Sequence, residues 1–219
     1  MDVIRIKRMS KVYNVVMYIV IANVIAFLFQ QLSPGFQEMM ILDSKLVFEE
    51  PWRLITHLFV HGSFFHIFFN MYVLFMFGTL VENRIGSKRF LYIYFISGIL
   101  AGLAFSLIHP ASMGLGASGA IMAVLGIVII QFPDLKVLFF LVIPMSIRTA
   151  GIIIAMIDIF GFISPTKTGI AHISHLVGLA CGLAYAYFLP KINIKKKRKD
   201  IIDIDLTRPQ EEIDEYFKN

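Results

Sequence analysis

Apolar residues in this chain come in long blocks separated by polar breaks. Six blocks can be marked: about Val15 to Leu32, His66 to Val81, Phe90 to Ile108, Ser118 to Ile130, a stretch within Thr149 to Ile163, and Gly169 to Leu189, stopped by Pro190. Several fall short of the roughly 20 residues that a lone transmembrane helix needs. Short helices are tolerated in a bundle, where broken backbone at membrane depth is buried in protein or lines water. The pattern predicts an all-α membrane protein, with a six-helix bundle over residues 15–190, an N-terminal arm over 1–14 and a charged tail over 191–219. The break from Ser33 to Phe65 is not purely polar. It carries Trp52, Leu54, Ile55, Leu58, Phe59, Val60, Phe64 and Phe65, which predicts a partly embedded first outer loop.

Composition fits this pattern. Hydrophobic residues make up 58% and charged residues 16%, against about a quarter charged in soluble domains. The apolar blocks are too many and too long for a signal peptide. Cys181 is the single cysteine, so an internal disulfide is excluded. The net charge of +5 gathers at the two ends and reads as attraction to a lipid surface, not to nucleic acid.

Cationic residues also set the orientation. Arg5, Lys7, Arg8 and Lys11 precede the first block, and Arg84, Lys88 and Arg89 follow the second. Lys136 and Arg148 follow the fourth, and Lys195 to Lys199 follow the sixth. With six spans these groups share one side, and both termini are cytoplasmic. The plasma membrane of a bacterial cell is the expected setting.

The chemistry concentrates at Gly116-Ala-Ser-Gly119, where a charge-free stretch from Ile108 runs into a serine and then an apolar helix. That helix has about 13 residues, or roughly 20 Å at about 1.5 Å each, against a hydrocarbon core about 30 Å thick. If it ends at the cytoplasmic face near Gln131, Ser118 sits roughly 10 Å below the outer face. His175, six residues into the last block, lies at a similar depth, roughly 9 Å by the same rise. A hydroxyl and an imidazole are both costly in lipid, and a hydrogen bond between them would satisfy both. It would also let His175 act as general base for Ser118. Small residues on both helices (Gly119, Ala120, Ala123 and Gly126; Gly178 and Gly182) predict close packing. His66 and Asn70, four apart on one helix face, could donate to a developing oxyanion beside the Ser118 amide.

Together these residues resemble the rhomboid family of intramembrane serine proteases. The resemblance covers about Pro51 to Leu189 and rests on Trp52-Arg53, His61, His66-Ile-Phe-Phe-Asn70, Gly78, Glu82, Gly116-Ala-Ser-Gly119 and His175-Leu-Val-Gly178-Leu-Ala-Cys-Gly182. It implies a Ser118–His175 dyad in a water-accessible cavity open to the outer side. His66 and Asn70 match the family's oxyanion-stabilising pair. Arg53 and Glu82 match polar residues that support the outer-loop architecture, and Gly116, Gly119, Gly178 and Gly182 match structural glycines. The implied substrates are transmembrane proteins cut in or near a helix that unwinds easily, with membrane lipids as the other partner and no cofactor or metal. At Met122 the family often has an aromatic residue stacked on the catalytic histidine.

Other readings exist for some of these groups. His57, His61, His66, His172 and His175 have spacings compatible with a metal site, but no cysteine or carboxylate cluster joins them, and that reading leaves Ser118 unexplained. Asp158 is a lone carboxylate in the fifth block. It could orient His175 or, with the histidines, relay protons in a transporter, although no inverted repeat is evident. The resemblance implies a dyad without an acid, which favours a hydrogen-bonded or hydrated Asp158 near the outer end. Only His175 has the H-x-x-G-x-x-x-G spacing, so His172 reads as a polar cavity or surface residue. A relative that binds transmembrane clients without cutting them is disfavoured by the presence of both Ser118 and His175.

Overall fold

The computed structural model describes residues 14–33, 35–139, 142–164 and 170–190. The basic groups Arg5 to Lys11 and Lys195 to Lys199, and the expected helix start at Gly169, lie outside the described residues.

The chain is mostly helical. Helix α1 covers Val15–Leu32 and is followed by the short α2, Phe36–Met40, and strand β1, Leu42–Asp43. The short helix α3, Arg53–Thr56, leads to α4, Phe64–Val73. Helix α4 continues through a π-helical turn, Leu74–Gly78, into α5, Thr79–Ile85. Then come α6, Ser87–Ile108, strand β2, Met113–Gly114, and α7, Ser118–Gln131. Strands β3, Lys136–Phe139, and β4, Ile143–Ser146, precede α8, Ile147–Ile163, and α9, His172–Tyr187. Among the described residues, Val15–Leu32, Phe64–Ile85 and Ser87–Ile108 are long and apolar enough to cross a membrane, and Ser118–Gln131 is a shorter apolar helix.

Two parts of the pattern are finer than the sequence suggested. The expected inner loop with Arg84, Lys88 and Arg89 shrinks to Gly86, with φ +86°, so those cations sit on the ends of α5 and α6. The segment after α7 adds an antiparallel pair, β3 with β4, whose continuous apolar run carries no helical period.

Helix α7 is apolar on every side and buried through most of its length, as expected of a helix enclosed by others. In contrast, α1 turns Tyr18, Ile25, Leu28 and Phe29 outward, a surface suited to lipid. The closest packing is between α7 and α9. A Cβ on Gly178 would lie 1.9 Å from the Gly119 carbonyl oxygen, and one on Gly182 would lie 1.9 Å from that of Ala123. Gly126 meets the Leu179 carbonyl in the same seam. These glycines are backbone-to-backbone contacts that no flexible side chain can relieve.

Glu82 departs from its expected role at the outer loop. It is buried, and its two carboxylate oxygens accept from the first amides of α1, Val15 at 2.8 Å and Val16 at 3.0 Å. The Ser87 hydroxyl donates to it as well, at 2.6 Å. A carboxylate at a helix N-terminus satisfies orphan amides and meets the positive end of the dipole. Glu82 therefore ties α1 to the junction between α5 and α6.

Arg53 lies in the segment between α1 and α4. Its guanidinium donates to the Glu38 and Ile41 carbonyls, at 2.6 and 2.7 Å, and pairs with Glu50. The segment docks on glycines of α6: Leu58 fills the space above Gly98, and His57 the space above Gly102. Burial pushes the His57 imidazole down to about 4, and that of His61 down to about 3. Both stay neutral where the unfolded chain, with ordinary histidines near 6.5, takes up protons.

Two outcomes follow. Gly→Ala in a free helix gains about 1 kcal/mol, whereas a backbone clash costs about 1–3 kcal/mol or more. Gly182→Ala is therefore expected to lower the melting temperature in detergent, and a rise would show that the seam is loose. For His57 the sign is set by a depressed folded value. Stability present above about pH 6.5 is lost as pH falls toward 4, by on the order of 3 kcal/mol. Unfolding measured across that range should show the loss, and it should be reduced in His57→Gln.

Candidate active site

Ser118 is the first residue of α7, so its amide belongs to the first-turn donors that lack an intrahelical partner. The approach to it is clamped. Residues Leu42 and Asp43 of β1 pair with Gly114 and Met113 of β2, and the Gly116 amide donates to the His57 carbonyl at 2.8 Å. Gly116 has φ +107°, a conformation that suits glycine. A Cβ there would also stand 2.8 Å from His66 Nε2. This one position meets a backbone demand and a close approach together.

On α9, His175 reaches across the glycine seam. Its Nε2 lies 2.8 Å from Ser118 Oγ. Its Nδ1 lies 3.0 Å from Asp158 Oδ1 on α8. An ionised carboxylate only accepts, so Nδ1 carries the proton and donates. In the neutral ring Nε2 is then the acceptor, and the Ser118 hydroxyl donates to it.

Asp158 is hydrogen-bonded, one of the two states expected of it, but it sits against His175, where an acid-free pair was expected. Its side chain is only 4% exposed, and Oδ1 also accepts from His172 Nδ1, at 2.8 Å. His172 had read as a cavity or surface residue. It does line the cavity, yet it is buried and bound to Asp158. The geometry follows from spacing. Asp158 and Gly161 are three apart on α8, His172 and His175 three apart on α9, and such pairs share a helix face. The bare surface at Gly161 receives the His172 ring, since a Cβ there would lie 2.2 Å from Nε2. These matching spacings are present in the sequence, but nothing there shows that the two faces meet.

His66 and Asn70 stand on α4 opposite Ser118. Ser63 caps this helix by accepting from the His66 amide at 3.2 Å. The Gly62 amide donates to His66 Nδ1 at 3.4 Å, which leaves Nε2 as the protonated, donating nitrogen beside Gly116. Asn70 is buried, and its Nδ2 has no hydrogen-bond partner among the described residues. A buried amide donor without a partner is costly, and a ligand oxygen would satisfy it. Ser118, His175, His66 and Asn70 line one cavity of about 930 Å³, walled by Phe65, Phe69, Phe105 and Phe162. An apolar chamber with a few converging polar groups suits an apolar substrate with a reactive amide.

The remaining marked residues take supporting places. Gly119 packs on Ala101 of α6 and beneath Ser174, whose hydroxyl donates to the Ala101 carbonyl at 3.2 Å. Met122, where the family often has an aromatic residue, is buried in the main core. His57 and His61 do not line the cavity that His66, His172 and His175 share. His57 Nδ1 donates to the Arg53 carbonyl at 2.9 Å, and the His61 ring meets His66 edge-on at 5.0 Å. The contribution of His57, which holds Gly116 through its carbonyl, is a backbone contact that residue type could not signal.

Comparison with known proteins bears on the family. The Rhomboid domain family model matches residues 49–192. The human presenilin-associated rhomboid-like protein, mitochondrial, is 34% identical over 202 residues, which cover 85% of this chain and 51% of the relative. The chain thus spans about half the length of that protein. The rhomboid protease GlpG of Haemophilus influenzae is 32% identical over 182 residues, covering 77% of this chain and 87% of the relative. The rhomboid protease GluP of Bacillus subtilis is 35% identical over 160 residues, covering 71% and 30%. With its long apolar helices and this match over most of its length, the chain is an integral membrane protein of the rhomboid family.

Proposed function

We propose that this protein is an intramembrane serine endopeptidase that hydrolyses peptide bonds in or near transmembrane segments of other membrane proteins. The observation that carries this reading is the 2.8 Å contact between Ser118 Oγ and His175 Nε2 at the head of a buried apolar helix. The names of the relatives from Haemophilus influenzae and Bacillus subtilis as rhomboid proteases support it.

In this reading His175 Nε2 takes the Ser118 proton while Oγ bonds to the substrate carbonyl carbon. The carbonyl electron pair moves onto oxygen. That oxyanion is met by His66 Nε2–H, Asn70 Nδ2 and the Ser118 amide, with the α7 dipole adding to the field. Collapse breaks the C–N bond, and the leaving amine takes the proton from His175. Water then repeats the sequence on the acyl-enzyme and releases Ser118. The aromatic cavity wall suits an unwound segment of a transmembrane helix.

The setting belongs to the same proposal. Six spans over residues 15–190, a partly embedded first outer loop and two cytoplasmic termini account for the distribution of cations. The arm over 1–14 and the basic tail over 191–219 are suited to an anionic inner leaflet, as in the plasma membrane of a bacterium.

Ser118→Ala is expected to abolish cleavage of a single-span substrate in detergent without loss of expression, and His175→Ala to do the same. His172→Ala should retain far more activity. Asn70→Ala should lower kcat by about 10²–10³ if it serves the oxyanion. A fluorophosphonate probe should label the wild type at Ser118. Cleavage that persists in Ser118→Ala would sink the mechanism, and cleavage lost only with chelator would turn it toward a metal.

A further inference from the structure

We infer that Asp158 is a positioning residue for the reaction, which makes the working unit Ser118–His175–Asp158 rather than a serine–histidine pair. The inference rests on the serine-protease reading and deepens it. Four observations support it. Asp158 Oδ1 lies 3.0 Å from His175 Nδ1, on the opposite side of the ring from Ser118. The carboxylate lies behind the imidazole and does not line the substrate cavity. The same oxygen accepts from His172 Nδ1 at 2.8 Å. The His172 ring is seated over Gly161, one helical turn along α8 from Asp158.

These contacts give Asp158 two tasks. The first is tautomer selection. As an acceptor-only group it holds the proton on His175 Nδ1 and leaves Nε2 bare toward the serine hydroxyl. The second arises when His175 takes the Ser118 proton and becomes a cation. A fixed carboxylate 3.0 Å away stabilises that cation in a medium of low dielectric. Asp158 itself takes up no proton in this scheme. His172 supplies a second donor that holds the carboxylate in place, since an ionised group at this depth needs partners.

The competing account is a purely structural ion pair that pins α8 to α9. Loosening of that contact would disturb substrate binding and melting along with turnover. A positioning role would act on the chemical step alone. Asp158→Asn keeps the shape and removes the charge, and its amide can turn a donor toward Nδ1 and so select the wrong tautomer. The expected result is a fall in kcat of about 10²–10⁴, with KM within about threefold, an unchanged melting temperature and slow fluorophosphonate labelling of Ser118.

Turnover within about threefold of wild type would overturn the inference and leave a simple pair, with the serine-protease reading intact. A parallel loss of kcat, KM and melting temperature would also overturn it, in favour of the structural account. Should the variant fail to fold, the wild type decides. Nitrogen-15 resonances of its histidines, assigned with His175→Gln, are expected to show His175 protonated at Nδ1. Protonation at Nε2 would overturn the inference. A wild type that neither cleaves nor labels would fail at the earlier step, the protease reading itself.

Discussion

The site depends on how closely α7 and α9 approach. Gly119, Ala123 and Gly126 on one helix meet Gly178 and Gly182 on the other, so carbonyl oxygens of α7 occupy space that a Cβ on α9 would fill. Lipid offers little hydrophobic drive for helices to associate, and van der Waals contact between small residues becomes the main resource. The consequence for chemistry is metric. A histidine has two rotatable side-chain bonds and a short reach. Only helices this close let His175 on α9 touch the hydroxyl at the head of α7. The seam is both the packing core of the bundle and the ruler that sets the serine–histidine distance.

A second constraint acts from the other side. Ser118 starts its helix, and the chain before it is a loop that would wander without partners. Three contacts prevent this: the β1–β2 pairing, the Gly116 amide on the His57 carbonyl, and the close approach of Gly116 to His66. His57 is itself held by Arg53 and sits in the space above Gly102. The segment between α1 and α4 is thus a brace between α6 and the loop that delivers the serine. This explains why a region of mixed polarity holds buried, neutral histidines: its task is to be fixed in place, and a charged imidazole would resist that burial.

Much of this was legible in the chain, and the reason is physical. Bilayer thickness and helix rise are external rulers, so the position of Ser118 relative to Gln131 sets an expected depth without a fold. Small residues at a spacing of four report close packing in the same way. The bounds of α1 were readable because its ends are polar breaks. Contacts between residues distant in sequence were not readable. Glu82 was expected to serve the outer loop, yet it caps α1 from 66 and 67 positions away. Asp158 looked solitary because its partners lie 14 and 17 residues on, in another apolar block. The β3–β4 pair was obscured by apolar residues on both of its faces.

The solitary look of Asp158 shows how to weigh a charge in an apolar block. A buried carboxylate in an apolar helix is costly unless donors converge on it, so its presence already implies partners on a neighbouring helix. Histidines are the natural candidates, because a neutral imidazole brings a donor without bringing a second full charge. Two of them three residues apart on the next helix, facing an aspartate and a glycine three apart, form a lock with a single register. Sliding either helix by one residue would turn both side-chain pairs away from each other. The seat of the His172 ring over Gly161 holds this register without the charge, and α9 carries it through the glycine seam to Ser118. A structural and a chemical account of Asp158 both act through one atom, Oδ1, and this is why turnover must be separated from stability to tell them apart.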